Sequence, residues 1–344
     1  MSETEAVEPE PELTDAEIEA LASCPATQTH IGGQALLEGV MMRGRINWAV
    51  AVRTADGAIH VEEHDLPGGA KTGWKAWPVA RGVWAMYETL ALAMKAFGIA
   101  ASLAGETEEE QLTPSEIGWT MVAGVGIAVA AFIVLPAILT NLVVGSSLTR
   151  PFLWNVVDGV LRLVVFFAYI WGVGLVPDIR RVFAYHGAEH KSIHAYEHGL
   201  PLKPRYIQRY ETLHVRCGTS FLLMVMVIAI LVFSAVPGRA ILASLGVDAT
   251  WAVVTFNILV RIVLLPLVAG LAYEITVKWA GSRSENPFVK VLLWPGMQLQ
   301  RMTTREPDDG MVEVAVAALE AVADREAREA AVAVAAPVAE PELT

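Results

Sequence analysis

The stretch "YHGAEHKSIHAYEHG", residues 185–199, sets His186, His190, His194 and His198 four residues apart, with Glu189 and Glu197 directly before two of them. Two imidazoles at i and i+4 of a helix approach one cation with little strain, and a carboxylate beside the second can take a proton from a water or add a ligand. H-x-x-E-H is the inverted zinc-protease arrangement. Pro177-Asp178 reads as the helix start, with Asp178 as N-cap, and Gly199 as the stop. At about 100° per residue, with His186 as zero, His190 falls near 40°, Glu197 near 20° and Glu189 near −60°. These four are expected to converge on one point, while His194 and His198 drift to about 80° and 120°. The bland alternative is an amphipathic helix with a water-facing histidine stripe.

A second cluster, "LHVRCGTS" at 213–220, holds His214 and Cys217 at H-x-x-C spacing where an apolar run begins. Cys217 is either a small hydrophobe at a helix start or a ligand. A helix N-terminus and the neighbouring Arg216 are surroundings that favour the thiolate, the form that binds metal. Three imidazoles and a thiolate suit a divalent ion, zinc first, with ferrous iron or manganese as alternatives. His186, His190, His214 and Cys217 are therefore the expected ligands. Glu189 is the expected general base, and Glu197 either a ligand or a proton acceptor.

These residues need a framework, and composition says what kind. The chain has 344 residues, 54% hydrophobic and 18% charged, with mean hydropathy +0.45, too apolar for an ordinary soluble protein. The net charge of −12 is carried by the ends: residues 1–27 and 306–344 contribute −8 each, leaving +4 between them. The first tail is rich in Glu and Pro, is expected to be disordered over 1–27, and lacks the apolar core of a signal peptide. Two cysteines, Cys24 and Cys217, make no disulfide framework. Nucleic-acid binding is not indicated, since membrane orientation accounts for the small basic excess.

A bilayer core of about 30 Å takes roughly 20 apolar residues in a helix. Four such runs occur at about 117–144, 154–177, 219–237 and 251–277, with Pro136 as an expected kink and Arg261 and Pro266 inside the last. The connection 178–218 between the second and third is rich in Lys and Arg, whereas the other two connections hold only Arg150 and Arg239. Basic connections stay in the cytoplasm, so both termini and the histidine segment are expected there, in the bacterial inner membrane. Residues 79–104 read as an interfacial helix rather than a fifth span. Asp158, Arg162 and Arg261 are costly in lipid unless paired, and an Asp158–Arg261 pair is the favoured reading, with an ion path as the alternative.

"NWAVAVRTADGAIHVEEHDL" shows two alternating runs joined at Asp56-Gly57, a hairpin in a small element at 28–78. The fold class expected is mainly α: a polytopic membrane protein with four transmembrane helices, this hairpin-containing cytoplasmic element, and a C-terminal cytoplasmic helix after "PDDG". That helix is expected to fray past about residue 325.

With these residues in view, the chain resembles the YqhQ family of bacterial integral membrane proteins, described as predicted metal-dependent enzymes. The resemblance runs over about residues 30–322, on "GGQALLEGVMMRG" (32–44), "YHGAEHKSI" (185–193), "HVRCGTSF" (214–221), "YE" (273–274) and "QRMTTREPDDGMVEVAVAALE" (300–320). Where the family pattern has Pro, this chain has Val215, which leaves the ligand pair intact; His194 and His198 fall outside the pattern. What the resemblance implies is a four-span inner-membrane protein with a cytoplasmic metal-type constellation. It adds "GGQALLEGVMMRG" as a wall of the site, where Gly32 and Gly33 allow close backbone approach and Gln34, Glu38 and Arg43 orient a polar or anionic group; the alternative is a structural turn with surface charges. Lys191 and Glu274 join them as residues expected around the ligands. The reading that follows is a membrane-embedded metal-dependent hydrolase working at the cytoplasmic face, on a lipid-linked, membrane-protein or soluble substrate. Its rival is a metal-stabilised scaffold that binds a partner protein; a transporter is disfavoured because two spans lack ionisable groups.

Overall fold

The computed structural model describes residues 13–24, 26, 27, 29–66, 73–104, 114–145, 151–215, 217–236, 238–247, 249–280, 283 and 286–335. The expected disorder at the two ends lies largely outside these residues. Within the first tail, however, α1 (Asp15–Ser23) is an ordered helix. Thr14 caps it, and Glu17 closes the reciprocal capping box, which supplies the local bonds that acidic composition does not reveal.

Four strands follow: β1 (Gly32–Leu36), β2 (Gly39–Arg43), β3 (Asn47–Arg53) and β4 (Ile59–Asp65), paired antiparallel in chain order. The expected hairpin is β3–β4, turning at Gly57 with φ +86°. "GGQALLEGVMMRG" forms a second hairpin, β1–β2. β2 and β3 are buried on both faces, because a helix covers each. Leu36, Met41, Trp48, Val50 and Val52 pack on Leu92, Ala96 and Ala100 of α2 (Ala80–Ala104). Val40, Met42, Ala49 and Ala51 pack with Val312, Ala315, Leu319 and Val322 of α12 (Asp309–Ala335). The spacing of those α12 residues is the apolar stripe of an amphipathic helix, and the helix continues past 325 to Ala335.

The remaining helices are α3 (Pro114–Val129), α4 (Leu135–Val144), α5 (Pro151–Val173), α6 (Pro177–Glu197), α7 (Pro204–Ile207), α8 (Gly218–Ser234), α9 (Gly238–Ser244), α10 (Thr250–Tyr273) and α11 (Pro287–Thr303). Among the described residues, three stretches are long and apolar enough to cross a membrane: Val122–Val144, Phe152–Val173 and Trp251–Ala280. A fourth, α8, is apolar over 17 residues, about 26 Å at 1.5 Å per residue. Their outward side chains are apolar too, with Leu142, Phe152, Trp251 and Val263 each above 70% exposed. A contiguous apolar surface of this kind belongs against lipid, so the chain is a membrane protein.

Proline leaves its mark where expected. Pro136 cannot donate to the carbonyl of Phe132, and the chain answers with a π-helical turn at Ala130–Val134. α10 runs through Pro266 unbroken and ends in a second π-helical turn, Glu274–Ala280. The expected Asp158–Arg261 pair is not the one found: Asp158 Oδ2 lies 2.9 Å from Arg162 Nη2, one turn away on α5 itself, the shorter reach.

Candidate metal centre

α6 starts with Pro177 in its first turn and Val176, not Asp178, as N-cap, and gives way at His198 and Gly199 (φ +68°) as expected. It lies between β1 and α12, so most of its second half is buried. Two close approaches fix its position. A Cβ on Gly187 would sit 2.1 Å from the Arg305 carbonyl oxygen, and one on Gly33 would sit 2.7 Å from Glu189 Cγ. Only glycine admits the backbone so near at either place.

Three donors meet at one end of this helix. His186 and His190 are one turn apart with ring centroids 4.4 Å from each other. Cys217 is the N-cap of α8, and its Sγ lies 3.2 Å from His186 Nε2. One ligand atom from each of His186, His190 and Cys217 falls within 4.8 Å of the other two. The far nitrogens are held: His186 Nδ1 bonds the Thr303 carbonyl at 2.9 Å and His190 Nδ1 the Thr212 carbonyl at 2.5 Å. A carbonyl can only accept, so each Nδ1 carries a proton, and in the neutral ring that leaves Nε2 with the lone pair that ligates. Burial also holds His190 below the usual imidazole range, keeping it in the neutral, ligating form. Two imidazole nitrogens and a thiol sulfur in this arrangement are a donor set that would fit a zinc-class cation.

Glu189 is fully buried next to them. Burial pushes its carboxyl up to about 6, against the opposing pulls of His186 and of the Gly33 N–H that donates to it. Of the two glycines, Gly33 makes the close approach, to this carboxylate, whereas a Cβ on Gly32 would meet nothing within 4 Å.

The other expected members are outside this three-donor group, although the His214 ring stands 5.6 Å from that of His190. His214 is not in the three-donor group; its Nε2 faces Glu197 Oε2 at 3.8 Å. Glu197 accepts the Thr29 N–H and hydroxyl, each at 2.9 Å. It shares the angular face of His186, but eleven residues of rise put it about 16 Å further along the axis, beyond any shared cation. His194 and His198 bond the carbonyls of Leu213 and His194 and stack on Tyr210. Lys191 points to the other side of α6, where its buried Nζ meets Glu306 Oε2 at 2.5 Å and the Gln208 carbonyl at 3.1 Å. Glu274 binds the Arg81 guanidinium and the Val79 N–H, tying α10 to the start of α2 rather than to a histidine. Glu38, at φ +50° in the β1–β2 turn, is clamped by Arg181 at 2.5 and 2.6 Å. Arg43 is 3.7 Å from Glu88 on α2. Gln34 alternates with Gly33 along β1 and so faces away from α6. Arg216 lies outside the described residues.

Residues with no chemical signature complete the site. Gln300, fully buried on α11, accepts the His214 N–H at 2.8 Å and donates to the His214 carbonyl at 2.9 Å and to Ser220 Oγ at 2.7 Å. It pins the segment that carries Cys217. Thr212 and Thr303 act through carbonyls, which every residue has, so no side-chain pattern marks them.

A family profile described as "Protein of unknown function (DUF1385)" matches residues 77–325. The "Uncharacterized protein YqhQ" of Bacillus subtilis (strain 168) is 33% identical over 298 residues, covering 83% of this chain and 89% of that protein. The chain belongs to the YqhQ family. The profile includes every member of the three-donor group and Glu189, while β1–β4 precede it. No solved structure matches the chain.

Proposed function

We propose that this protein is a metal-dependent hydrolase of the bacterial inner membrane, working at the cytoplasmic face. The observation that carries the reading is the convergence of His186, His190 and Cys217, with both imidazoles locked in the tautomer that ligates. A zinc-class ion held there supplies Lewis-acid polarisation of a substrate carbonyl or phosphoryl oxygen. Glu189, one turn from His186 and shielded from solvent, is the group that takes a proton from the attacking water and returns it to the leaving group. Glu197 orients His214 and is not itself a ligand. The excess of Lys and Arg in the 178–218 connection supports a cytoplasmic placement of the site and of both termini. Because the site adjoins the membrane-facing end of α8, a membrane-linked substrate reaches it as readily as a soluble one.

Elemental analysis of the detergent-purified protein tests the reading. One equivalent of metal is expected in wild type, with loss in His190→Ala and in Cys217→Ser; equal metal in all three would end it. Glu189→Gln is expected to keep the metal and to lose turnover by about 10²–10⁴-fold on a panel of activated esters, phosphoesters and amides. A metal-stabilised scaffold would retain all its properties in that variant. A second reading is favoured by the 3.2 Å contact between Cys217 Sγ and His186 Nε2, a thiol nucleophile with its base; it predicts stoichiometric labelling of Cys217 by iodoacetamide in protein free of metal, with turnover undiminished by a chelator.

A further inference from the structure

Asp158, Arg162 and Arg261, charged residues inside the spans, gather in a second cluster independent of the histidine centre. Arg162 stands ten residues beyond Phe152, and Arg261 ten beyond Trp251, each at the start of its apolar stretch; at 1.5 Å per residue that is about 15 Å in, close to mid-bilayer. Both line one cavity of about 240 Å³, together with Asn155, Asp158, Ser234 and Phe132 of the π-helical turn. Asp158 and Arg162 are deeply buried, with side chains 6% and 17% exposed.

Their ion pair is incomplete. Arg162 Nη2 is 2.9 Å from Asp158 Oδ2, yet Arg162 Nε and Nη2 and Asp158 Oδ1 have no aligned hydrogen-bond partner among the described residues. An uncompensated charge in this setting is costly, and two arginines against one aspartate leave the cavity one positive charge in excess. Arg261 does not close the account; its guanidinium lies over the Phe233 ring, 5.7 Å from the centroid. A cation is repelled by that surplus. A ligand that satisfies every group must accept from the guanidinium edge and also donate to Asp158 Oδ1.

We propose that this intramembrane pocket binds a phosphate-type oxyanion bearing a hydroxyl. A planar guanidinium edge matches two oxygens of such a group, and the hydroxyl supplies the proton that Asp158 requires. The volume equals about eight water molecules, enough for the phosphate and part of an ester arm. The group arrives either as free phosphate or as the headgroup of an anionic lipid such as phosphatidylglycerol.

The test uses the full chain in nanodiscs. Binding of inorganic [32P]phosphate is measured in phosphatidylcholine discs, and the number of phosphatidylglycerol molecules retained from a mixed bilayer is counted by native mass spectrometry. One equivalent is expected in one arm, and the arm that responds identifies the source. Arg261→Gln is expected to weaken binding by roughly tenfold or more, the loss of a charge-assisted contact, and Ala229→Phe, which fills the cavity without touching a charge, to abolish it. Folded variants are recognised by unchanged gel filtration and circular dichroism. No binding of either probe to wild type, or equal binding by both folded variants, overturns the proposal.

Discussion

At the residue scale, contacts that admit no compromise decide where the chemistry stands. Gly187 is the sharpest, because the atom its Cβ would meet is a backbone oxygen that cannot swing aside. Gly187→Ala is expected to destabilise by about 1–3 kcal/mol and to lower metal content by displacing Thr303 from His186. Gly98→Ala on α2, where a Cβ meets nothing within 4 Å, should instead stabilise by about 0.5–1 kcal/mol. Chemical denaturation of the two variants side by side checks both signs. Glu38 adds a pH dependence. The Arg181 guanidinium holds its carboxyl below the usual range, so the folded pKa lies beneath the unfolded one. The pair's stabilisation is therefore present above pH 4.5, the ordinary glutamate value, and fades as pH falls through the folded pKa. Arg181 is half exposed, which limits the pair to about 1 kcal/mol or less. Glu38→Gln should remove that share of acid sensitivity, read as a smaller loss of stability between pH 5 and pH 3.

At the scale of elements, the arrangement depends on how α8, α11 and the segment before α8 are stitched to α6. Gln300 holds three polar groups at once. Gln300→Leu keeps the volume but leaves a buried N–H, a carbonyl and a hydroxyl short of partners, each costing about 1–3 kcal/mol. The expected result is a metal affinity lowered by about 10–100-fold, the usual effect of losing a positioning group, measured by competition with a chelator; unchanged affinity would show that the clamp serves stability alone. Such stitching also marks the limit of what sequence carries. Helical spacing gave α6, its glycine stop and the His186–His190 pair, and alternation gave β3–β4. Angle without rise misled for Glu197, since a face shared around a helix is not a point shared along it. The partners of His214, Lys191 and Glu274 were illegible for another reason: Glu197, Glu306 and Arg81 lie 17, 115 and 193 residues away, and no local pattern encodes a distant ion pair. The β1–β2 hairpin was legible only as the alternative of a structural turn with surface charges, because that turn rests on Glu38 at positive φ, a place where glycine or asparagine is the usual signal.

At the scale of the whole molecule, an ion held by the three donors would be thermodynamically linked to the fold. The donors come from two segments, 186–190 and 217, that only the folded chain brings together, so an ion that binds them adds its binding free energy to the stability of that arrangement. At a free metal concentration 100 times Kd the gain is about 2.7 kcal/mol, equivalent to roughly 100-fold slower opening-limited exchange of protected amides. The slowing should be concentrated in the buried half of α6, from Ala188 to Ala195, and in the first turn of α8. It should be absent from α2, whose contacts with β3 involve no donor. Hydrogen exchange with and without zinc, in wild type and in His190→Ala, checks the pattern. Uniform protection across both helices would mean that the ion acts on the molecule without joining these two segments, and protection surviving in His190→Ala would mean that it binds elsewhere.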